Sequence, residues 1–169
     1  MAAKQPPKNV KVLTIWRLPY NWLTVSDFTV TSSKISEPFR ILLISDLHNH
    51  EFGSSNAKLV ERIQEQSPDL VIIDGDMING DSENDNVAVE VVSALSETAP
   101  VYYSLGNHEY DYIDAGHEEL TEDLEEAGAV VLNYQSLDAE VNGNPIRLGG
   151  LYEYGFESGM QSEEENGAG

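Results

Sequence analysis

Three short apolar runs recur along this chain, and each breaks off into residues that bind rather than pack. Arg40–Ser45 (RILLIS), Leu70–Asp74 (LVIID) and Val101–Leu105 (VYYSL) are continuous, the pattern of strands covered on both faces of a parallel sheet. Amphipathic stretches separate them. Residues 56–66 place Leu59 and Ile63 one helical turn apart with Pro68 behind them, and residues 86–97 put Ala88, Val91, Val92 and Leu95 on one face. Residues 118–127 align Leu120, Leu124 and Ala127, with Gly128 placed to end that helix and Val130–Leu132 following as a strand. Strand and helix thus alternate three times, which predicts an α/β fold: a mainly parallel sheet with flanking helices, reached by right-handed crossovers. Residues 27–35 read as one further strand, and Asn142-Gly143 predicts an appended hairpin between residues 138–142 and 145–148.

Ligands of parallel sheets bind beyond the carboxyl ends of the strands. There the runs continue as Ser45-Asp46-Leu47-His48, Asp74-Gly75-Asp76 and Gly106-Asn107-His108-Glu109. An isolated Asp after a strand is ordinarily a helix cap or a turn former. Three strand ends that all carry oxygen or nitrogen donors concentrate negative charge in a way that a cation would offset. In extended backbone Asp46 and His48, two apart, point the same way, and Gly75 and Gly106 let the chain turn closely around an ion. The expected product is a metal cradle on the sheet rim.

Charge and composition narrow the function. Thirty acidic against nine basic side chains give a net charge of −21, which repels polyanions and excludes ordinary nucleic-acid binding. The surplus is uneven: residues 1–62 hold eight basic and five acidic side chains, whereas residues 63–169 hold one basic residue, Arg147, and 25 acidic ones. The absence of cysteine removes disulfides, thiolate metal sites and cysteine nucleophiles. No G-x-S-x-G, phosphate-binding glycine loop or G-x-G-x-x-G occurs. Apolar runs of only four residues cannot span a membrane, and Arg17 and Pro19 interrupt the one candidate signal segment, so a cytoplasmic location is expected. Residues 10–25, with Lys11 and Arg17 among Trp16, Tyr20 and Trp22, are expected to cover a sheet edge rather than dock on a membrane surface.

In their order, Asp46-Leu47-His48, Gly75-Asp76 and Gly106-Asn107-His108-Glu109 resemble the D-x-H, G-D and G-N-H-[DE] blocks of the calcineurin-like metallophosphoesterases. The surrounding text resembles the small bacterial branch that acts on lipid-linked or other phosphoesters. The resemblance spans residues 21–151 and implies the first half of a four-layer α/β/β/α sandwich. It implies two divalent metal ions, with Asp46 and His48 on the first, Asp76 bridging both and Asn107 on the second. It also implies that His108 assists the leaving oxygen. Such carboxylate, imidazole and amide donors suit Mn, Fe, Zn, Ni or Co without choosing among them. The substrate implied is a small-molecule or lipid-linked phosphoester, mono- or diester.

The sequence departs from the family in lacking a later G-H-x-H element. Its other histidines, His50 and His117, match no block; His50 is expected in solvent after the first strand and His117 at the start of an acidic helix. The expectations are therefore a weak first site, a nearly empty second one, and impaired turnover by this chain, with truncation the simplest cause. The alternative is a catalytically inactive metal-binding or interaction module. The expected organisation is an extension over residues 1–20, the metallophosphoesterase domain over residues 21–156 and a disordered acidic tail over residues 157–169, with residues 1–9 also disordered. A missing second half would leave sheet surface exposed for self-association.

Overall fold

The computed structural model describes residues 8–18 and 22–151. Eight strands and four α-helices occur among these residues: β1 (Lys8–Leu18), β2 (Trp22–Ser32), β3 (Phe39–Ile44), α1 (Ala57–Gln64), β4 (Leu70–Asp74), α2 (Asn86–Ser96), β5 (Val101–Ser104), α3 (Asn107–Asp114), α4 (Leu120–Glu126), β6 (Ala129–Leu132), β7 (Gln135–Val141) and β8 (Asn144–Gly150). The main sheet runs β2-β1-β3-β4-β5-β6. All neighbours in it are parallel except β1 with β2, and β7 and β8 form a separate antiparallel pair. The mainly parallel sheet with flanking helices is the architecture expected from the alternation of strand and helix.

Register explains why the apolar runs are continuous. One row crosses the sheet as Leu13, Leu42, Val71, Val101 and Ala129, and the next as Ile15, Ile44, Ile73, Tyr103 and Val131. Both rows lie under α1, α2 and α4 in one buried cluster with Leu59, Ile63, Val91, Val92, Leu95, Leu120 and Leu124. The intervening residues turn the other way. There Val10, Phe39 and Leu70, flanked by Ile41, Ile72 and Tyr102, pack with Val141, Ile146 and Leu148 of the β7–β8 hairpin. A strand that must satisfy helices on one face and a hairpin on the other cannot alternate polar with apolar. Each fully buried Leu, Ile or Val stabilises by roughly 1.5–3 kcal/mol.

The strand expected over residues 27–35 runs instead as β2 over Trp22–Ser32, and two further elements differ from the sequence expectation. Lys8–Leu18 is a strand inside the sheet, between β2 and β3, rather than an extension outside it, and Lys8 and Asn9 are ordered as its first residues. The expected acidic tail, like residues 1–7, lies outside the described residues. Asn107–Asp114 is a helix that apolar periodicity does not announce, because its first turn is held by polar contacts of the site and not by an apolar stripe. Among the described residues no helix is long and apolar enough to cross a membrane.

Candidate metal centre

β3, β4 and β5 are adjacent, so their carboxyl ends form one rim. Asp46 and His48 follow β3, Asp76 follows β4, and Asn107 and His108 open α3 after β5. Asp46, His48 and Asp76 each offer one ligand atom, and these atoms all lie within 4.8 Å of one another. His48 Nε2 stands 3.9 Å from Asp46 Oδ1. Three donors sharing one ion at about 2.0–2.2 Å lie roughly 3–4 Å apart, so the three need to draw together by about an ångström to share one. Two carboxylates and one imidazole fit a divalent cation, and their mutual repulsion without one is the electrostatic reason they would hold it.

The backbone that delivers them is not extended, as the spacing of Asp46 and His48 had suggested. Asp46, His48 and Asp76 have φ of 56°, 48° and 54°, left-handed values costing roughly 1–2 kcal/mol each for residues bearing a Cβ. Such conformations persist where surroundings over-determine them. Here Asp46 N–H donates to Gly75 O at 3.2 Å, His48 N–H to Asp76 O at 3.0 Å and Asn49 N–H to Met77 O at 2.9 Å. The turn after β3 is therefore laced to the turn after β4. The latter meets the turn after β5 as closely: a Cβ on Gly75 would collide with the Gly106 backbone, and one on Gly106 with the Asp76 carboxylate. Both glycines are needed for that approach.

Glu109 secures the junction. It is fully buried, and its carboxylate accepts from Asp76 N–H at 2.7 Å, Met77 N–H at 2.8 Å, Gly106 N–H at 2.9 Å and the Tyr103 hydroxyl at 2.8 Å. Burial, then the neighbouring Glu109 charge, pushes the Tyr103 hydroxyl well above its ordinary range, which keeps it a phenol able to donate. Motif reading quoted Glu109 but gave it no role. The signal was present in the Gly-Asn-His-Glu block, where the fourth residue is the third of a helix and can fold back onto the preceding N–H.

The remaining histidines divide. His108 Nδ1 accepts from Gly80 N–H at 3.1 Å, and its ring meets that of His48 edge-on with centroids 4.7 Å apart. Asn107 is exposed at the first position of α3, next to that pair. His50 does not face solvent: it is half-buried, edge-on against Phe52 at 4.5 Å, with Nε2 wholly covered. It covers Phe52, and that contact outweighs hydration of the ring. His117 stacks flat on Tyr112 at 4.0 Å and lies 3.4 Å from Glu119.

The family model described as calcineurin-like phosphoesterase matches residues 39–166, which is most of the chain. The chain belongs to the calcineurin-like phosphoesterase family. Among curated members and relatives, phosphodiesterase YaeI of Escherichia coli is 34% identical over 102 residues, covering 59% of this chain and 38% of that protein. The protein YpbG of Bacillus subtilis is 24% identical over 131 residues, covering 78% of this chain and 48% of its own length. A metallophosphoesterase of Campylobacter jejuni is 28% identical over 88 residues, covering 51% of this chain and 24% of that protein. The chain thus spans less than half the length of these relatives. The rim of β3, β4 and β5 carries Asp46-Leu47-His48, Gly75-Asp76 and Gly106-Asn107-His108-Glu109, and a hydrolase with divalent metal ions is what membership suggests.

Proposed function

We propose that this chain carries the metal-binding half of a metal-dependent phosphoester hydrolase acting on a phosphomonoester or phosphodiester. The observation that supports it most is the convergence of Asp46, His48 and Asp76 within 4.8 Å. Divalent ions held there would supply the positive charge that attracts an anionic phosphoester and the polarisation that makes water nucleophilic near neutral pH. Asp46, His48 and Asp76 would hold a first ion, and Asp76 with Asn107 would offer donors to a second. His108 N–H donates to Asp76 Oδ1 at 3.1 Å, which orients that carboxylate. With Nδ1 already accepting from Gly80, the proton of His108 resides on Nε2, where it can be given to a departing oxygen.

The donor count is uneven. Asp76 and Asn107 alone make a poor second site, so turnover by this chain by itself is low, and binding at the first site is weak. That imbalance favours, as a second reading, a metal-binding module without catalysis. Calorimetric titration with Mn²⁺ alongside hydrolysis of an aryl phosphodiester and the matching monoester tests both. Weak binding with slow turnover that is lost in His108→Ala supports the hydrolase; binding with no turnover above the metal-ion background, and none changed by His108→Ala, supports the module. No Mn²⁺ binding at all overturns both.

A further inference from the structure

We propose that Asn79 is a positioning residue that holds His48 in its Nδ1–H tautomer, while the adjacent Gly80 holds His108 in the opposite one. The inference rests on the proposed hydrolase reading only for its consequence, since the tautomers are properties of the metal-free chain. A neutral imidazole has one donor and one acceptor nitrogen, and whichever partner is fixed first assigns the other. His48 Nδ1 lies 3.1 Å from Asn79 Oδ1. An amide oxygen only accepts, so Nδ1 carries the proton and Nε2 keeps its lone pair, aimed at the side of the ring where Asp46 Oδ1 stands 3.9 Å away. One residue further on, Gly80 N–H donates to His108 Nδ1 at 3.1 Å. A backbone N–H only donates, so His108 carries its proton on Nε2.

Free histidine prefers the Nε2–H form, so His48 is the ring that needs help. The loop providing it is well anchored. Asn79 N–H donates to Ser82 Oγ at 3.1 Å, and Ser82 Oγ donates back to Asn79 O at 2.7 Å. Asn49 Nδ2, from the turn that bears His48, donates to the same Ser82 oxygen. Asn79 is thereby fixed relative to the histidine it faces, and one loop sets one ring as a lone-pair donor and its edge-on neighbour 4.7 Å away as a proton donor. Partners of this kind typically alter metal affinity 10–100-fold when removed.

The test is nitrogen NMR of the histidine side chains in the metal-free protein at about pH 8.5, where an ordinary imidazole is neutral, together with Mn²⁺ calorimetry. The parent chain is expected to give Nδ1–H for His48 and Nε2–H for His108. Asn79→Ala should move His48 to Nε2–H, leave His108 unchanged and weaken Mn²⁺ binding roughly 10–100-fold. Asn79→Asp, which keeps an accepting oxygen, should retain the Nδ1 proton and restore the affinity. Nε2–H on His48 in the parent overturns the proposal without any variant, and so does an Asn79→Ala protein with unchanged spectrum and affinity. A parent that binds no Mn²⁺ sinks the hydrolase reading instead, and the metal-free spectrum still decides the tautomers.

Discussion

The backbone N–H of His108 donates to Asp76 Oδ1 at 3.1 Å, so the first turn of α3 is fastened to a carboxylate delivered by a different strand. Asp76 satisfies an N–H that a helix start leaves unpaired and sits where the helix dipole favours negative charge. The proposed bridging ligand and the proposed proton donor are therefore one mechanical unit.

That coupling separates two carboxylates that a ligand list treats alike. Asp46 is 62% exposed at its side chain, so Asp46→Asn, which also tolerates the left-handed backbone there, should weaken Mn²⁺ binding while leaving thermal stability within about 0.5 kcal/mol. Asp76→Ala should abolish Mn²⁺ binding and also lower the melting temperature, because it frees the helix start. Calorimetry and thermal melts on the two variants check this.

Removal of His108 should act on chemistry alone. His108→Gln is expected to reduce aryl-phosphoester turnover by roughly 10²–10⁴-fold, with Mn²⁺ affinity within about threefold of the parent, since His108 is not among the three converging ligands. Parallel rate and binding measurements decide it.

Glu109 should matter to stability beyond its size. Glu109→Ala strands the part-buried N–H groups of Asp76 and Gly106 and the buried Met77 N–H and Tyr103 hydroxyl, and each buried partner lost costs about 1–3 kcal/mol. Tyr103→Phe removes one donor only and should cost about 1–2 kcal/mol. Urea midpoints should therefore fall in the order parent, Tyr103→Phe, Glu109→Ala.

Asp85, just before α2, is the chain's pH-sensitive liability. Partial burial, then the charge of Asp123, raises its pKa from the ordinary 3.8. Because the folded-state value lies above the unfolded one, ionising Asp85 costs stability: the cost is absent below about pH 3.8, develops as pH rises through the raised value and is constant above it. Asp85→Asn should accordingly raise the melting temperature at neutral pH, and that gain should vanish in melts run near pH 3.5, an approximate lower limit set by ordinary carboxylate titration.

The hairpin is tied down by Asn144, only 1% exposed. Its Oδ1 accepts from Ser36 N–H at 2.7 Å and its Nδ2 donates to Glu37 O at 2.9 Å and Val141 O at 2.8 Å. Asn144→Ala leaves these groups unsatisfied and should cost about 2–3 kcal/mol. The lost protection should appear in β7 and β8 by hydrogen exchange before it spreads to β4.

Local pattern was a sound guide wherever an element's identity followed from its own side chains. Leu70–Asp74 forms a strand over the residues expected, and α2 ends within a residue of its reading, because buried faces there belong to the run itself. β1 escaped notice since Val10 and Val12 face the hairpin side while Leu13 and Ile15 face the helices, which erases period-two alternation. α3 escaped because Glu109 and Asp76, not an apolar stripe, hold its start.

The amino-acid order alone settled which donors stand at the strand ends, since Asp46, His48, Asp76, Asn107 and His108 follow apolar runs whose fate is dictated by burial. It could not settle how they meet. Left-handed turns at Asp46, His48 and Asp76 are unfavourable in isolation and exist only because neighbouring strands supply the hydrogen bonds that compel them. The direction of each imidazole likewise depends on Asn79 and Gly80, residues that come within reach only once the sheet has assembled.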